Sequence, residues 1–566
     1  MVRQPNQPML IVLTLLLLQG CQADQTGPIP DPGPGRPNIV LILADDMGYS
    51  DLGSYGGEID TPNIDSLAAG GVRFAQFYNA ARCVPTRASL LTGQYPHIAG
   101  LGHMNYDAGE PGYRGTLNEQ TATIAEVLGA GGYQTHMAGK WHLTAKPGPN
   151  SDSSSWPTQR GFDSFFGTLP GHGSFYSPAG LMRNDEFIKA DADFFYTDAI
   201  SSNAAEYIRA ATRTDQPFFL YVAYTAPHYP LHARSETIDK YAGVYDIGWD
   251  ALRENRRTRL LAAGLADVDQ LTNDEASVRW ADEPHQQWQA QRMQAYAAMV
   301  DEMDQGIGRI LDALRESEVD ENTLVVFLSD NGGSAEGHLN NTIERTGKPW
   351  VSSVIPDKTR AGQPLTAGDF PGLAPGPENT YGSYGVRWAS VSNAPFRRHK
   401  SWVHEGGIAT PMIMRWPASK SIGGTITQEI GHIIDLMPTF LDVADVRYSA
   451  TGNDRQQHPL PGSSLVPIFE GDELPDRTIF WEHEGNRAIR RGKWKLVSEF
   501  PGTWSSFYSY QKNAQWELYD MSVDRGEQHD LAQTKPELVR ELSGEYERWA
   551  EATQVVSWDK LSGRQE

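Results

Sequence analysis

Cysteine is almost absent from this chain: 566 residues carry two, Cys21 and Cys83. They cannot make a disulfide framework, and no Cys/His cluster has the spacing of a structural zinc site. Basic charge is scarce as well. Lysine and arginine number 48 against 71 aspartates and glutamates, a formal net charge of −23. That excludes a general nucleic-acid binder, whose footprint is basic. It leaves room for an anionic substrate, because a pocket can be locally positive inside an acidic surface. Long apolar runs are also missing. The run at residues 9–18 is broken by Thr14 and falls far short of the roughly 20 residues that span a bilayer. With 39% hydrophobic and 21% charged residues, the chain is neither mainly disordered nor multi-spanning. Its length suits two or three domains, or one large α/β domain with a smaller appendage.

The N-terminus reads as an export signal: Arg3 supplies the positive start and residues 9–18 the apolar region. The run ends Leu18-Gln19-Gly20-Cys21, which resembles a bacterial lipobox. Residues 1–21 are therefore expected to be a lipoprotein signal peptide, with Cys21 lipidated as the new N-terminus. Residues 22–36 contain Pro28, Pro30, Pro32 and Pro34 and read as an extended tether of about 45 Å. The expected location is the periplasm or cell surface, anchored to the outer membrane through lipid alone.

Folded sequence begins at Pro37. Residues 38–44 (NIVLILA) form the short continuous apolar run of a strand buried on both faces of a parallel sheet. It ends in Asp45-Asp46, two carboxylates that are costly to bury without a cation or donors. Three further runs end in polar chemistry. Residues 323–329 (TLVVFLS) lead into Asp330-Asn331, residues 217–225 (PFFLYVAYT) into Pro227-His228, and residues 133–139 (YQTHMAG) into Lys140-Trp141-His142. In open α/β sheets, ligands bind outside the carboxyl ends of the strands, so these four ends point to one site if the strands share a sheet. Asp45, Asp46, Asp330 and Asn331 offer only oxygen ligands, which suit a hard cation, Ca²⁺ before Mg²⁺. Met293, Tyr296, Val300, Met303, Ile307, Ile310 and Leu314 make one apolar helical stripe. Residues 67–74 and 122–128 read as further helical pieces.

Cys83 precedes Pro85, a residue suited to the first turn of a helix. It would then sit at a helix N-terminus, where negative charge is favoured, with Arg87 on the same face. A thiolate nucleophile and a buried inert cysteine both fit that placement.

Cys83-Val84-Pro85-Thr86-Arg87, followed by Leu90-Leu91-Thr92-Gly93, resembles the signature of the formylglycine-dependent (type I) sulfatases. The second signature is matched by Gly132-Tyr133-Gln134-Thr135 through Gly139-Lys140-Trp141-His142. Asp45-Asp46, Thr225-Ala226-Pro227-His228, Ser329-Asp330-Asn331-Gly332 and Lys400 with Glu405-Gly406-Gly407 follow in family order. Residues 384–400 look especially like bacterial arylsulfatases. The resemblance runs from Pro37 to the C-terminus. It implies an α/β fold of the alkaline-phosphatase-like kind, with a large mixed, mostly parallel sheet flanked by helices. It also implies a small C-terminal subdomain of antiparallel sheet plus helix, the catalytic domain covering residues 37–475 and the subdomain 476–566.

The resemblance further implies that a dedicated maturation enzyme oxidises Cys83 to Cα-formylglycine. One oxygen of the hydrated aldehyde attacks the sulfur of a sulfate ester, and the second hydroxyl expels sulfate, a release step that a sulfated serine lacks. By motif position, Asp45, Asp46, Asp330 and Asn331 bind Ca²⁺ together with the modified residue 83. Arg87 holds the diol, Lys140 and Lys400 grip the sulfate, and Asp330 accepts the nucleophile's proton. His228 with Lys400 protonates the leaving oxygen, and His142 deprotonates the second hydroxyl. The implied partners are a sulfated small molecule or glycan and the maturation enzyme. Two rival readings use the same motifs: a phosphonate or phosphate-ester hydrolase, and a non-catalytic lipoprotein that binds sulfated glycans.

The remaining expectations concern the surroundings. Loops at 146–178 and 332–395 wall the pocket, with Trp156, Phe175, Tyr176, Trp350, Tyr384 and Trp388 either stacking on substrate or anchoring loops. His97, His103, His172 and His404 read as supporting or surface residues. Residues 486–499 and 516–521 read as C-terminal strands. Thr534 and Glu537 form a capping box with Pro536 in the first turn, followed by a stripe of Leu538, Leu542, Tyr546 and Trp549.

Overall fold

The computed structural model describes residues 35–149, 151–266, 278–337, 358–419, 423–448, 458–500 and 515–561, with the isolated positions 1 and 356. The expected leader, Cys21 and nearly all of the tether lie outside the described residues, as does Trp350.

Among the described residues sixteen strands run in chain order. They are β1 (Asn38–Ala44), β2 (Val72–Tyr78), β3 (Gln134–Lys140), β4 (Ser164–Thr168), β5 (Leu181–Arg183), β6 (Glu186–Phe187), β7 (Phe218–Ala223) and β8 (Thr323–Ser329), then β9 (Thr366–Ala367), β10 (Thr380–Tyr381), β11 (Met412–Arg415), β12 (Thr425–His432), β13 (Thr478–His483), β14 (Asn486–Arg491), β15 (Trp494–Ser498) and β16 (Glu517–Asp520). Ten of them form one sheet in the order β12-β2-β11-β8-β1-β7-β3-β4-β5-β6. The four strands expected to end in chemistry are its adjacent centre, β8-β1-β7-β3. All are parallel, so their carboxyl ends open on one side. β11 enters antiparallel between β8 and β2, which makes the sheet mixed.

Why the central strands are uniformly apolar is visible in their packing. Every residue of β1 and of β8 is buried. Side chains alternate between faces of a strand. Val40 and Ile42 join a core with Met293, Tyr296, Val300 and Met303 of the helix Gln286–Glu316. Ile39, Leu41 and Leu43 join a second core with Val84, Leu90 and Leu91 of the helix Cys83–Thr92. Helices therefore cover both faces, and β1 is apolar from Ile39 to Ala44. The expected stripe from Met293 to Leu314 is buried along its whole length.

Three local expectations need correction. The apolar stretch 67–74 is the end of a helix, Pro62–Gly70, followed after Gly71 by β2, so Phe74 lies in a strand. A glycine pair broke the helix inside what read as one stripe. The C-terminal helix, Pro536–Ala552, has Pro536 in its first turn but no capping box: its N-cap is Lys535, and Thr534 Oγ1 donates to the Leu531 carbonyl instead. The C-terminal sheet is β13-β14-β15-β16, all antiparallel, and β13 was not anticipated. Leu542, Tyr546 and Trp549 pack the helix on that sheet, with Trp549 stacked on Phe480 at 5.0 Å.

A buried ionic seam fastens this sheet to the large one. Lys495 Nζ on β15 lies 2.9 Å from Glu405 and 2.8 Å from Glu527, with all three side chains fully buried. Arg525 and the Tyr78 hydroxyl also bind Glu405. Among the described residues no helix is long and apolar enough to cross a membrane.

Candidate active site

The residues at the four strand ends meet in one buried cluster. Asp45, Asp46, Lys140, Asp330 and Asn331 are each at most 1% exposed. Asp46 and His142 take left-handed backbone conformations, φ 66° and 63°, a costly geometry for a residue with a side chain and one that gathers at functional sites.

Arg87 projects from the helix Cys83–Thr92 and grips Asp330 Oδ2 through Nε at 3.0 Å and Nη2 at 2.8 Å, while Nη1 donates to the Lys140 carbonyl. Lys140 Nζ binds Asp45 Oδ2 at 2.6 Å, and Lys400 Nζ binds Asp46 Oδ2 at 2.9 Å. Asn331 Nδ2 donates to Asp46 Oδ1 at 2.7 Å. Three carboxylates thus face three cations, which satisfies the rule that a buried charge needs a partner. Burial pushes Asp330 up to about 7, with the nearby Asp45 carboxylate adding to the rise. Burial also raises Asp45, against the pull of Lys140 and Arg87. Burial would lower Lys400, but Asp46 and Glu336 hold it well above the usual lysine range, so it stays protonated.

Cys83 is the first residue of its helix and is 1% exposed. Burial raises its thiol, and Lys140 and Lys400 work against that rise. An unmodified thiol there is kept protonated by desolvation, so helix position alone does not make it a thiolate.

Two histidines complete the group. His228 Nδ1 sits 2.6 Å from the Tyr229 carbonyl. A carbonyl can only accept, so Nδ1 carries the hydrogen, and in the neutral ring Nε2 is a lone pair. That lone pair faces Lys400 Nζ at 3.3 Å and Asp46 Oδ2 at 3.4 Å. Burial pushes His228 down to about 4. Burial, with Lys140 and Arg87 nearby, holds His142 well below the ordinary histidine range, and its Nδ1 has no hydrogen-bond partner. The Gly171 backbone lies against this ring: a Cβ there would fall 2.0 Å from His142 Cε1.

The donor set fits a hard cation. Asp45 Oδ1 and Asn331 Oδ1 are buried with no hydrogen-bond partner, and such orphaned oxygens in a dry site are what an oxygen-seeking ion satisfies. One ligand atom each from Asp45, Asp46 and His228 lies within 4.8 Å of the others. Of the four expected oxygen ligands, Asp330 stands apart. Arg87 holds its Oδ2, and the Asp46 amide donates to its Oδ1.

A cavity of about 580 Å³ opens above this floor and reaches Cys83, His142, His228 and Lys400. The first expected loop supplies part of its wall, through residues 147–149 and 170–172; of the second, Glu336 is the described contributor. The five described candidate aromatics are not among its lining residues. Trp156, Phe175, Tyr384 and Trp388 are buried, and the Tyr176 hydroxyl donates to the Ala233 and Gly376 carbonyls, so the five described ones anchor loops. The wall instead has Tyr106, Phe187 and Tyr229. His172 lines it, next to His228, whereas His97, His103 and His404 are buried elsewhere.

Sequence reasoning also missed three charged residues of the wall. Glu336 bridges Lys400 at 3.0 Å and Arg82 at 2.8 Å, and Arg82 reaches on to Glu484 at 3.2 Å. Glu484 sits in the β13–β14 turn with φ 49°, so the C-terminal sheet enters the pocket. Adjacency to Cys83 was the available signal for Arg82; a contact across 402 residues left none for Glu484.

Comparison with known proteins agrees with this geometry. The family model described as Sulfatase matches residues 37–446, and one described as N-sulphoglucosamine sulphohydrolase, C-terminal, matches 397–549. An uncharacterized sulfatase of Schizosaccharomyces pombe is 34% identical over 90% of this chain and 92% of its own length. The arylsulfatase of Klebsiella aerogenes is 35% identical over 76% of this chain and 92% of its own. The solved structure of Ps i-CgsB in complex with k-i-k-neocarrahexaose superposes with TM-score 0.63 at 26% identity, covering 92% of this chain and 94% of that one. With the mixed, mostly parallel sheet and its motif residues in order, these matches establish that the chain belongs to the sulfatase family and is a sulfuric ester hydrolase.

Proposed function

We propose that this sulfatase acts on aryl sulfates or sulfated carbohydrates, using formylglycine at position 83 and a calcium ion. The observation that carries the reading is the convergence of a helix-initial Cys83, three anchored cations and two orphaned buried oxygens at the carboxyl ends of adjacent parallel strands. The aldehyde made from Cys83 supplies, as its hydrate, the attacking hydroxyl and a second one for release of sulfate. Asp45, Asp46, Asp330 and Asn331, with the modified residue 83, would hold the cation, whose chemistry is to polarise a sulfate oxygen.

The chain's own side chains do the rest. Lys140 and Lys400 are preorganised positive charges for the sulfate oxygens. Lys400, held protonated, is the proton source for the leaving oxygen, directly or through the His228 Nε2 it faces. His228 is neutral above pH about 4 in the free site, so it relays a proton and does not start with one. His142, neutral and with Nδ1 unengaged, is a base for the release step. Asp330, raised to about 7, can exchange a proton near neutral pH.

The aryl arm of this proposal rests on likeness to the Klebsiella arylsulfatase, the carbohydrate arm on likeness to the oligosaccharide-bound Ps i-CgsB. Export as a lipoprotein tethered through Cys21 to the outer membrane, maturation by a formylglycine-generating enzyme, and division into a catalytic domain (37–475) and a C-terminal subdomain (476–566) belong to the same proposal. A screen of aryl sulfates, defined sulfated sugars and matched phosphate esters tests it, together with mass spectrometry of the peptide spanning residue 83. Sulfate release and the formylglycine mass are expected. A higher kcat/KM on phosphate esters, or an unmodified Cys83 in fully active protein, would sink the reading.

A further inference from the structure

Among the described residues, two cations besides the buried floor line the cavity, Arg82 and Lys400, and two carboxylates, Glu336 and Glu484. Each cation is already held by a pair of acids: Lys400 by Asp46 and Glu336, Arg82 by Glu336 and Glu484. Once Lys400 is committed to the sulfate, the described lining retains one guanidinium against two carboxylates. Tyr106 stands in the same wall with 48% of its surface exposed, its ring 4.2 Å from that of His103. An aromatic face beside carboxylate acceptors suits a ring that carries hydroxyls, whether phenol or sugar. A net charge of −23 lies around it, so long-range steering also disfavours a polyanion.

We infer that Glu484 and Glu336, facing Arg82 and Tyr106, make the leaving-group subsite selective for an uncharged, hydroxylated ring and exclude a second anionic group. This rests on the sulfate-ester reading above. The substrate class is then a monosulfated neutral sugar or phenol, and polysulfated or uronate-bearing esters are poor substrates.

The test uses the full mature enzyme. Compare kcat/KM for 4-nitrophenyl sulfate with that for a nitrophenyl sulfate bearing a ring carboxylate, and for a mono- against a disulfated form of one sugar. The uncharged ring should win by about tenfold or more, the size expected of one like charge a few ångström away in a partly hydrated site. That ratio should narrow several-fold in Glu484→Gln and at high salt, which screens the repulsion. Equal or better turnover of the dianionic esters, or a ratio unmoved by Glu484→Gln, overturns the inference while leaving the hydrolase reading intact. If the variant does not fold, the wild-type ratio and its salt dependence decide. No sulfate released from any ester would instead overturn the reading beneath it.

Discussion

The floor and the wall of the pocket are built on different principles. The floor gathers Asp45, Asp46, Lys140, Asp330 and Asn331 from the ends of strands that lie side by side. Its charges are buried and paired, so each side chain has one place to be. The wall draws on loops near 104–106, 147–149 and 170–172, on Glu336, and on Glu484 from a separate sheet. Tyr106 there is half exposed. A buried network is intolerant because removing one member strands another without water. A wall of surface loops can change with little cost to the fold. On the proposed reading the reaction belongs to the sheet, and selectivity to the loops and the C-terminal turn.

That contrast can be broken experimentally, most severely at the floor. Asp330→Ala would leave the fully buried Arg87 with the Lys140 carbonyl and, as its nearest carboxylate, Asp45 at 3.7 Å. A stability loss of about 3–5 kcal/mol in urea unfolding is expected, with sulfate release abolished. Next comes the cation. EDTA should remove sulfate release, and calcium should restore it better than magnesium. Calcium should also raise the thermal midpoint by mass action, a readout independent of turnover.

The seam that carries the wall should be sensitive to pH. Burial would raise Glu405, but Lys495 and Arg525 hold it down to about 2. A depressed carboxylate contributes stability above its unfolded value near 4.5, and that contribution is lost as pH falls toward 2. Glu405→Gln should therefore cost about 3 kcal/mol at neutral pH, and the gap from wild type should close below pH about 4 in denaturant titrations. Tyr106→Ala should have the smallest effect, a several-fold rise in KM for ring substrates with kcat little changed, because it removes binding surface and no reacting group. A loss of kcat comparable to that of the floor variants would erase the distinction drawn above.

The floor was also the legible part. β1 and β8 were read to the residue because burial on both faces leaves a continuous apolar run that only a polar end can stop. Strands exposed on one side gave less: β2 was taken as the end of a helix, and β13 was not seen. Aromatic residues were legible only as an alternative. Trp388 and Phe175 suited substrate stacking and loop anchoring equally, and their burial decides for anchoring.

What the sequence determined by itself is the family, the strand ends and the set of groups that share the floor, because a parallel sheet delivers the residues after its strands to one side. What only the tertiary structure decided is how those groups are paired, which nitrogen of His228 faces the site, and which charges stand in the wall. Arg82, Glu336 and Glu484 are brought together across 254 and 402 residues. Their pairing follows from how the C-terminal sheet docks through Lys495 and Glu405, a contact that leaves no periodicity in the chain.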